Sequence, residues 1–552
     1  MGFPVRARDV VAALSARASG TGEDVFCHVL AKGGRTTISC REALEQSSRW
    51  ANLYRAAGLE PGAVVLIILK HGPELYFAFL GAMLAGCVPS FMPFPSAKQD
   101  PGLYWSQHRA LFERIGAAAV VTWPQNAETL AEHGAGMALL LPEQAQAQSS
   151  DFAARMIDPD EVALLQHSSG TTGLKKGVAL SYGAIAGQLD RYADELDLAP
   201  GDTVVSWLPL YHDMGLIACF LLPLAAGVPF VALDPFEWVA RPGLLFEAIE
   251  SFGGTHVWLP NFAFHHLCRT AAQGPVRDLS GMKAFIDCSE PCRHETFELF
   301  ERTFAPAGVC WDQFRVCYAM AETVFAVTQT ASGAPVSSLD VDDAALAEGR
   351  AEAVKAGAGR RVVSVGRPLP DVVLRIVDED GRDLEDGAVG EVLVQAPFLF
   401  SGYHRDPDMT ARKLKDGWYF TGDLGFRRDG ELYLVGRTDD LLIVNGRNVF
   451  AHHVEFAINA ETPEVKAGRC IALGVWSEDA GSQELVVVAE AEGEDDTVRR
   501  LLARNIKTVV LNGFGVMPRE VKIVPSGWLA KTTSGKITRE LNLQKYLAEK
   551  PL

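Results

Sequence analysis

The stretch Ser168-Ser169-Gly170-Thr171-Thr172-Gly173-Leu174-Lys175-Lys176-Gly177 packs glycine, hydroxyl and cationic residues into one short run. Glycines let a backbone approach phosphate oxygens closely, hydroxyls and N–H groups can wrap those oxygens, and lysines supply charge. The register is not that of a Walker A loop, and a β-type run (Val178–Leu180) follows where that loop needs a helix. A surface turn is the competing reading of this composition. Three further segments carry reactive side chains: Cys317-Tyr318-Ala319-Met320-Ala321-Glu322-Thr323, then Tyr419-Phe420-Thr421-Gly422-Asp423-Leu424-Gly425 with Gly436-Arg437-Thr438-Asp439-Asp440, and Lys531-Thr532-Thr533-Ser534-Gly535-Lys536-Ile537-Thr538-Arg539. Taken singly, Tyr318 fits a core, Glu322 a helix cap and Lys536 a solvated basic tail.

Together and in this order, the four segments resemble the adenylate-forming superfamily of acyl- and aryl-CoA synthetases, peptide-synthetase adenylation domains and luciferases. The first matches the pattern [ST]-S-G-T-T-G-x-P-K-G with Lys175 in place of proline, which removes a fixed φ but leaves Lys176 in register. The resemblance implies ATP and Mg²⁺ as cofactors. It places Ser168, Ser169, Gly170, Thr171, Thr172, Gly173 and Lys176 around the phosphates, and Tyr318, Ala319 and Met320 along the adenine. Glu322 becomes the Mg²⁺ ligand, a role a hard carboxylate oxygen suits. Asp423 would accept the ribose hydroxyls, and Arg437 would reach ribose or phosphate with a planar donor fork. Asp439 would be a hinge. Lys536 would neutralise the carboxylate and α-phosphate as they react, lowering the barrier electrostatically. Ala530 stands where related ligases usually have proline.

The substrate side narrows the branch. Trp207-Leu208-Pro209-Leu210-Tyr211-His212-Asp213-Met214-Gly215-Leu216, Pro260-Asn261-Phe262-Ala263 and Ser289-Glu290-Pro291 are similar to elements of fatty-acyl-AMP ligases. So are the spacer between Glu322 and Val363-Ser364-Val365-Gly366-Arg367-Pro368 and the turn Asn445-Gly446-Arg447-Asn448. This implies substrate contacts from Trp207, Asp213, Met214, Asn261 and Phe262, and nucleotide contacts from Ser289, Glu290 and Pro291. His212 would stand beside the substrate carboxylate, with a core histidine as the alternative. In this branch the insertion disfavours the CoA-using conformation, and the acyl group passes to a carrier-protein phosphopantetheine. The carrier is expected in trans. Other readings stay open: an acyl- or aryl-CoA synthetase, a stand-alone amino-acid adenylation enzyme using Asp213 or Asp234, and a catalytically dead scaffold. Trp238, Trp258, Phe262, Phe264 and His265 offer bulk to close a pocket below long-chain size.

The elements that must position these residues read as α/β. Short β-rich runs (Ala63–Leu69, Ala117–Thr122, Thr203–Trp207) alternate with helical patterns (Glu74–Ala85, Gly215–Leu224), which implies mostly parallel sheets flanked by helices. Glu143–Ser150 reads as a surface connector, and Thr330–Arg361 as a polar, small-residue stretch. The pattern then turns strand-dominated (Val372–Val377, Gly390–Gln395, Glu431–Gly436), as a small β subdomain. After Arg437 come new α+β elements, including a helix over Thr497–Val510. Charge steps at the same place. Of 51 Lys+Arg and 69 Asp+Glu in the 552 residues, Arg437 to Leu552 holds 15 basic and 16 acidic. The expected division is therefore 1–436, a large N-terminal adenylation domain, and 437–552, a small mobile C-terminal domain.

Composition also excludes. A net charge of −18 argues against nucleic-acid binding. The first residues lack the apolar core of a secretory signal, and Arg6 breaks the myristoylation pattern. The ten cysteines read as free cytoplasmic thiols, and Cys288, Cys292 and His294 lack the second ligand pair of a zinc site. Leu216–Leu233 is uncharged and reaches transmembrane length. Pro223, Gly227 and Pro229 make it a buried helix, a turn and a buried strand instead, with no stable membrane insertion. Because the first 436 residues are acidic, a carrier would dock on local cations such as Arg499, Arg500, Arg504 and Lys507 of the C-terminal part.

Overall fold

A computed structural model of the chain describes residues 10–20, 24–32, 34–95, 101–133, 136–153, 155–168, 176–272, 274–444, 447–477, 482–492, 495–531 and 537–549. The largest sheet has nine strands. From one edge they are Arg367–Pro368, Ala326–Gln329, Phe314–Ala319, Ala284–Cys288, His256–Leu259, Val204–Ser206, Phe230–Leu233, Val25–Ala31 and Gly34–Ser39. The central pairings are parallel and the edges antiparallel. Ala284–Cys288 and His256–Leu259 are buried at every residue, as parallel strands covered on both faces must be. A second, wholly parallel sheet orders Val88–Phe91, Val64–Ile67, Ala119–Val121 and Ala138–Leu140. The expected α/β class, with its β subdomain and α+β C-terminal part, is the one observed.

The uncharged run behaves as its prolines and glycine dictate. Met214–Leu221 is π-helical, Leu222–Ala226 is α-helical, Gly227 turns the chain at φ 76°, and Phe230–Leu233 is a buried strand. The wide first turn is tied to Gly215, where a Cβ would sit 2.3 Å from the Pro209 carbonyl oxygen. Among the described residues, no helix is long and apolar enough to cross a membrane.

Two stretches read from composition alone carry structure of their own. Glu143–Ser150 lies at the surface as expected, but it is anchored. Pro142–Gln146 is a helix started by Pro142, and Gln144 Oε1 accepts from Leu141 N at 2.8 Å. Arg49 and Asn52 then donate to the carbonyls of Gln146, Gln148 and Ser149, docking the segment on the Cys40–Ala56 helix. Thr330–Arg361 is likewise more than a polar spacer. Ser338–Val341 pairs antiparallel with Arg360–Val363, and Asp342 caps a helix over Asp343–Ala347. Ala345 and Leu346 supply the apolar face that composition had hidden.

The β subdomain sheet runs Val373–Val377, Gly390–Gln395, Trp418–Arg428 and Leu414–Lys415, with Glu431–Arg437 paired to Trp418–Arg428. That last pairing ends at Asp423↔Arg437, and a 3₁₀ turn over Thr438–Asp440 follows. Beyond it, five strands form a sheet with an apolar cluster on each face. One cluster holds Val454, Ile458, Leu502, Ile506 and Val510 under the Ala451–Glu461 and Asp496–Phe514 helices. The other holds Ile471, Val486, Val488 and Tyr546 under the Arg539–Ala548 helix.

Candidate active site

The antiparallel register that sets Arg437 opposite Asp423 also builds an ion pair, Arg437 Nε to Asp423 Oδ1 at 3.2 Å. Tyr318, near the end of the Phe314–Ala319 strand, donates its hydroxyl to Asp423 Oδ2. Residues far apart in sequence thus meet on one carboxylate. Burial pushes the Asp423 carboxyl above its ordinary range, against the pull of Arg437 and the Tyr318 hydroxyl. Gly422, at φ 78°, lets this strand pass close under two cations: a Cβ there would lie 3.3 Å from Lys413 Nζ and 3.7 Å from Arg437 Nη2.

Glu322 sits in the 3₁₀ turn Ala321–Thr323, and its Oε1 accepts from the Tyr403 hydroxyl at 2.7 Å. The next turn is strained. Val324 is β-branched yet holds φ 64° and ψ −54°, and Phe325 N donates to Thr323 O at 2.7 Å, the geometry of a γ-turn. Thr323 Oγ1 donates to the Met320 and Phe325 carbonyls and braces it. Lys176 Nζ lies 5.4 Å from the Tyr403 ring centroid. Burial pushes the Lys176 ammonium below its ordinary range, with the Glu322 charge opposing and the Lys413 and Arg437 charges adding. Three cations therefore converge with Glu322 and Asp423, a charge pattern that suits a polyphosphate bound beside a hydroxylated group.

A second wall adjoins. Ser289, at φ 73°, turns its hydroxyl toward the Met214 sulfur at 3.9 Å. Glu290 Oε2 accepts from Phe262 N at 2.9 Å, joining the Ser289-Glu290-Pro291 turn to the start of the Asn261–Thr270 helix. Asp213 caps the π-helix by accepting from Met214 N at 2.8 Å. Trp207 stacks on Trp238 with centroids 3.7 Å apart and planes 6° from parallel, and Phe262 meets both edge-on. Trp207 Nε1, Trp238 Nε1 and Asn261 Oδ1 are buried without a hydrogen-bond partner among the described residues. Half-buried His212 lies beside Tyr211, centroids 4.9 Å apart. Beyond Tyr211 and Gly215 opens an apolar pocket lined among others by Tyr76, Phe91, Phe94, Leu208 and Cys219, with His71 and Ser206 as polar exceptions.

Of the residues singled out from sequence, Lys176, Tyr318, Glu322, Asp423 and Arg437 come together in the first cluster. Trp207, Asp213, Met214, Phe262, Ser289 and Glu290 form the second, with Asn261 at its helix start. Ala319 and Met320 run along the strand end between Tyr318 and Glu322, Met320 N donating to Phe325 O at 2.9 Å. Pro291 is exposed and Asp439 lies exposed in the 3₁₀ turn. Ser169, Gly170, Thr171, Thr172, Gly173 and Lys536 lie outside the described residues, as does the Ser168 side chain. Sequence reasoning missed Lys413 and Tyr403 as parts of the first cluster, whereas Trp238, singled out for its bulk, stacks on Trp207 in the second. A lysine on a short helix and a tyrosine in a two-residue strand carry no spacing signal of their own.

The family described as "AMP-binding enzyme" matches residues 14–404. A protein of Caulobacter vibrioides named putative acyl-CoA synthetase is 32% identical over 511 residues, covering 89% of this chain and 87% of the relative. A Mycolicibacterium smegmatis protein named long-chain-fatty-acid–AMP ligase FadD32 is 29% identical over 548 residues, covering 88% and 85%. Among solved structures, one from a study of fatty acyl-adenylate ligases from E. coli and L. pneumophila superposes with a TM-score of 0.90 at 25% identity, covering 99% of this chain and all of that one.

Proposed function

The chain belongs to the AMP-binding enzyme family, and on that premise we propose that it activates a fatty acid with ATP and passes the acyl group to a carrier-protein phosphopantetheine supplied in trans. The observation that carries this reading is the convergence of Lys176, Lys413 and Arg437 on Glu322 and Asp423 beside an apolar cavity. One region is charged for a nucleotide and its neighbour is dry enough for a hydrocarbon tail.

In the first step a carboxylate oxygen bonds to the α-phosphorus of ATP, and the bond to the β-phosphate bridging oxygen breaks, releasing pyrophosphate. Asp423, held by Tyr318 and Arg437, presents acceptors for the ribose hydroxyls. Lys176, Lys413 and Arg437 balance the phosphate charge, and Lys536 balances the two reacting anions. Glu322 fits a Mg²⁺ shared with nucleotide phosphates: the cation needs only one or two carboxylates besides phosphate oxygens, and Tyr403 already holds one Glu322 oxygen in place. The metal would supply charge neutralisation. His212 orients the acid's carboxylate, and the tail runs past Met214 and Tyr211 into the cavity. In the second step residues 437–552 turn about Asp439, a thiol attacks the acyl carbonyl, and AMP leaves.

Transfer to a carrier rather than to CoA is favoured by the insertion. Asn448 Nδ2 donates to Ala347 O at 3.2 Å, and Phe450 packs with Val341, Leu346 and Val362. These contacts hold the C-terminal part against the insertion. The relative named acyl-CoA synthetase keeps CoA as the alternative acceptor. The test is pyrophosphate release across fatty, aromatic and amino acids, with and without CoA. Acid-dependent release with fatty acids and no acyl-CoA product is expected; thioester formation with free CoA would overturn the carrier reading. Lys536→Ala should abolish adenylate formation, and near-normal turnover would remove Lys536 from the mechanism.

A further inference from the structure

The apolar pocket begins beside the site and ends against aromatic rings. Tyr211 and Gly215 line it next to His212 and Met214, and Leu233 and Pro235 line it at the carboxyl end of the Phe230–Leu233 strand. That strand runs parallel to Val204–Ser206, and the same direction continues through His256–Leu259, Ala284–Cys288 and Phe314–Ala319. Its carboxyl end therefore faces the same way as the strand ends that lead to Phe262, Ser289 and Tyr318. Phe230 lines the pocket at the opposite, amino end, three residues or about 10 Å farther in at ~3.3 Å per residue. There it meets Tyr76. The Tyr76 ring lies 5.2 Å from the Phe230 ring, 5.0 Å from Phe220 and 6.2 Å from Phe26, centroid to centroid, the last two edge-on. Phe26 and Phe230 are themselves 5.2 Å apart, and Phe220 and Phe230 5.8 Å. Tyr76 and Phe230 line the pocket, and the fully buried Phe26 and Phe220 back them. The Glu74–Ala85 helix that carries Tyr76 is pinned in turn. Trp50 Nε1 donates to Glu74 Oε2 at 2.8 Å, and a Cβ on Gly81 would sit 2.5 Å from the Trp50 Cβ, so this helix lies directly against Cys40–Ala56.

A run of methylenes entering from the site thus meets packed rings rather than an opening. Interiors packed this way transmit strain instead of yielding, so forcing extra methylenes into them is unfavourable. The bulk that the sequence offered for shortening the pocket lies elsewhere. Trp258 Nε1 donates to the Tyr192 hydroxyl at 3.0 Å, Phe264 packs edge-on against Phe297 and Phe300, and neither lines the pocket. We propose that Tyr76 sets the acyl-chain length this protein accepts: its ring, flanked by Phe230 and backed by Phe26 and Phe220, ends the pocket, and the substrates are medium-chain saturated acids rather than long-chain ones. This rests on the fatty-acid reading proposed above. It departs from the long-chain acid that the name of the Mycolicibacterium smegmatis relative carries.

The test measures kcat/KM for pyrophosphate release with MgATP and saturated acids from octanoate to hexadecanoate, on the full-length protein and on Tyr76→Phe, Tyr76→Leu and Tyr76→Ala. The quantity read is the ratio of hexadecanoate to dodecanoate, because a ratio of kcat/KM values within one preparation does not depend on how much of it is folded. Wild type should favour dodecanoate or a shorter acid over hexadecanoate by ~10- to 100-fold, the discrimination that misfitting methylenes give. Tyr76→Phe keeps the ring and should keep the ratio within about twofold. Tyr76→Leu and Tyr76→Ala leave apolar space where the ring stood and should raise the ratio, Tyr76→Ala by about 10-fold or more. Tyr76→Leu is the variant to read if Tyr76→Ala does not fold. Equal use of hexadecanoate and dodecanoate by wild type, an unchanged ratio in Tyr76→Leu, or a rise in Tyr76→Phe as large as in Tyr76→Leu would overturn the inference. Pyrophosphate release with none of these acids would instead overturn the fatty-acid reading on which it stands.

Discussion

At the scale of single residues, the site is a problem of charge balance. Asp423 is held above its ordinary pKa by burial, yet it keeps two donors, Tyr318 and Arg437, that act on different oxygens. Asp423→Asn retains the shape but removes the charge that Arg437 answers. Hydrogen bonds to a charged group contribute about 1.5–3 kcal/mol, so kcat/KM for ATP should fall by ~10- to 100-fold. The cost of replacing ATP with 2′-deoxyATP should be large in the wild type and small in Asp423→Asn. Equal penalties in both proteins would remove Asp423 from ribose recognition. The sequence named Asp423, Arg437, Tyr318 and Glu322 because each sits in a motif of fixed spacing. It did not name Lys413 or Tyr403, whose importance comes from Gly422 and Glu322 being folded against them.

At the scale of elements, two local structures have measurable consequences. One is the γ-turn at Val324, where a residue poorly suited to positive φ stands two positions after Glu322; Thr323 braces the turn that carries the carboxylate. The other is the helix Ala451–Glu461, which opens with His452 and His453 beneath Phe450. Burial pushes His452 down to about 4 and His453 well below its ordinary value, with Arg360 and Arg293 adding to the shift of each. Asp440 opposes at His452. The unfolded chain therefore binds more protons than the folded one between the ordinary histidine value of about 6.5 and the folded value. Stability should be fully present above that window and fall as pH drops from about 6.5 toward 4. His452→Gln should flatten this part of a thermal-midpoint profile. A variant whose midpoint tracks pH as steeply as wild type would show that the histidine is solvated in the folded state.

At the scale of the whole molecule, the C-terminal part has its own two-sided core, yet Phe450 leaves it to join Val341, Leu346, Val362, Phe426, Tyr433 and Val435. Gly436 makes room: a Cβ there would lie 2.4 Å from the Phe450 ring. Phe450→Ala should cost about 3 kcal/mol of the contact between the two parts and speed protease cleavage near Thr438–Asp440, with little loss of core stability in either part. Unchanged cleavage would mean that Phe450 does not hold the parts together. The sequence by itself determined the family, the α/β order, and most of the ionic side chains, because motif spacing and apolar periodicity are local properties that survive without a fold. It also read the apolar run correctly, since Pro223, Gly227 and Pro229 forbid one continuous helix. Only the tertiary structure decided that the insertion is a packed strand pair and helix, that Trp238 stacks on Trp207, and that Lys413 joins the cation cluster. It alone decided that Tyr76 and Phe230 meet at the far end of the apolar pocket. Those facts depend on which distant surfaces meet, and a linear pattern records the faces of elements but not their partners.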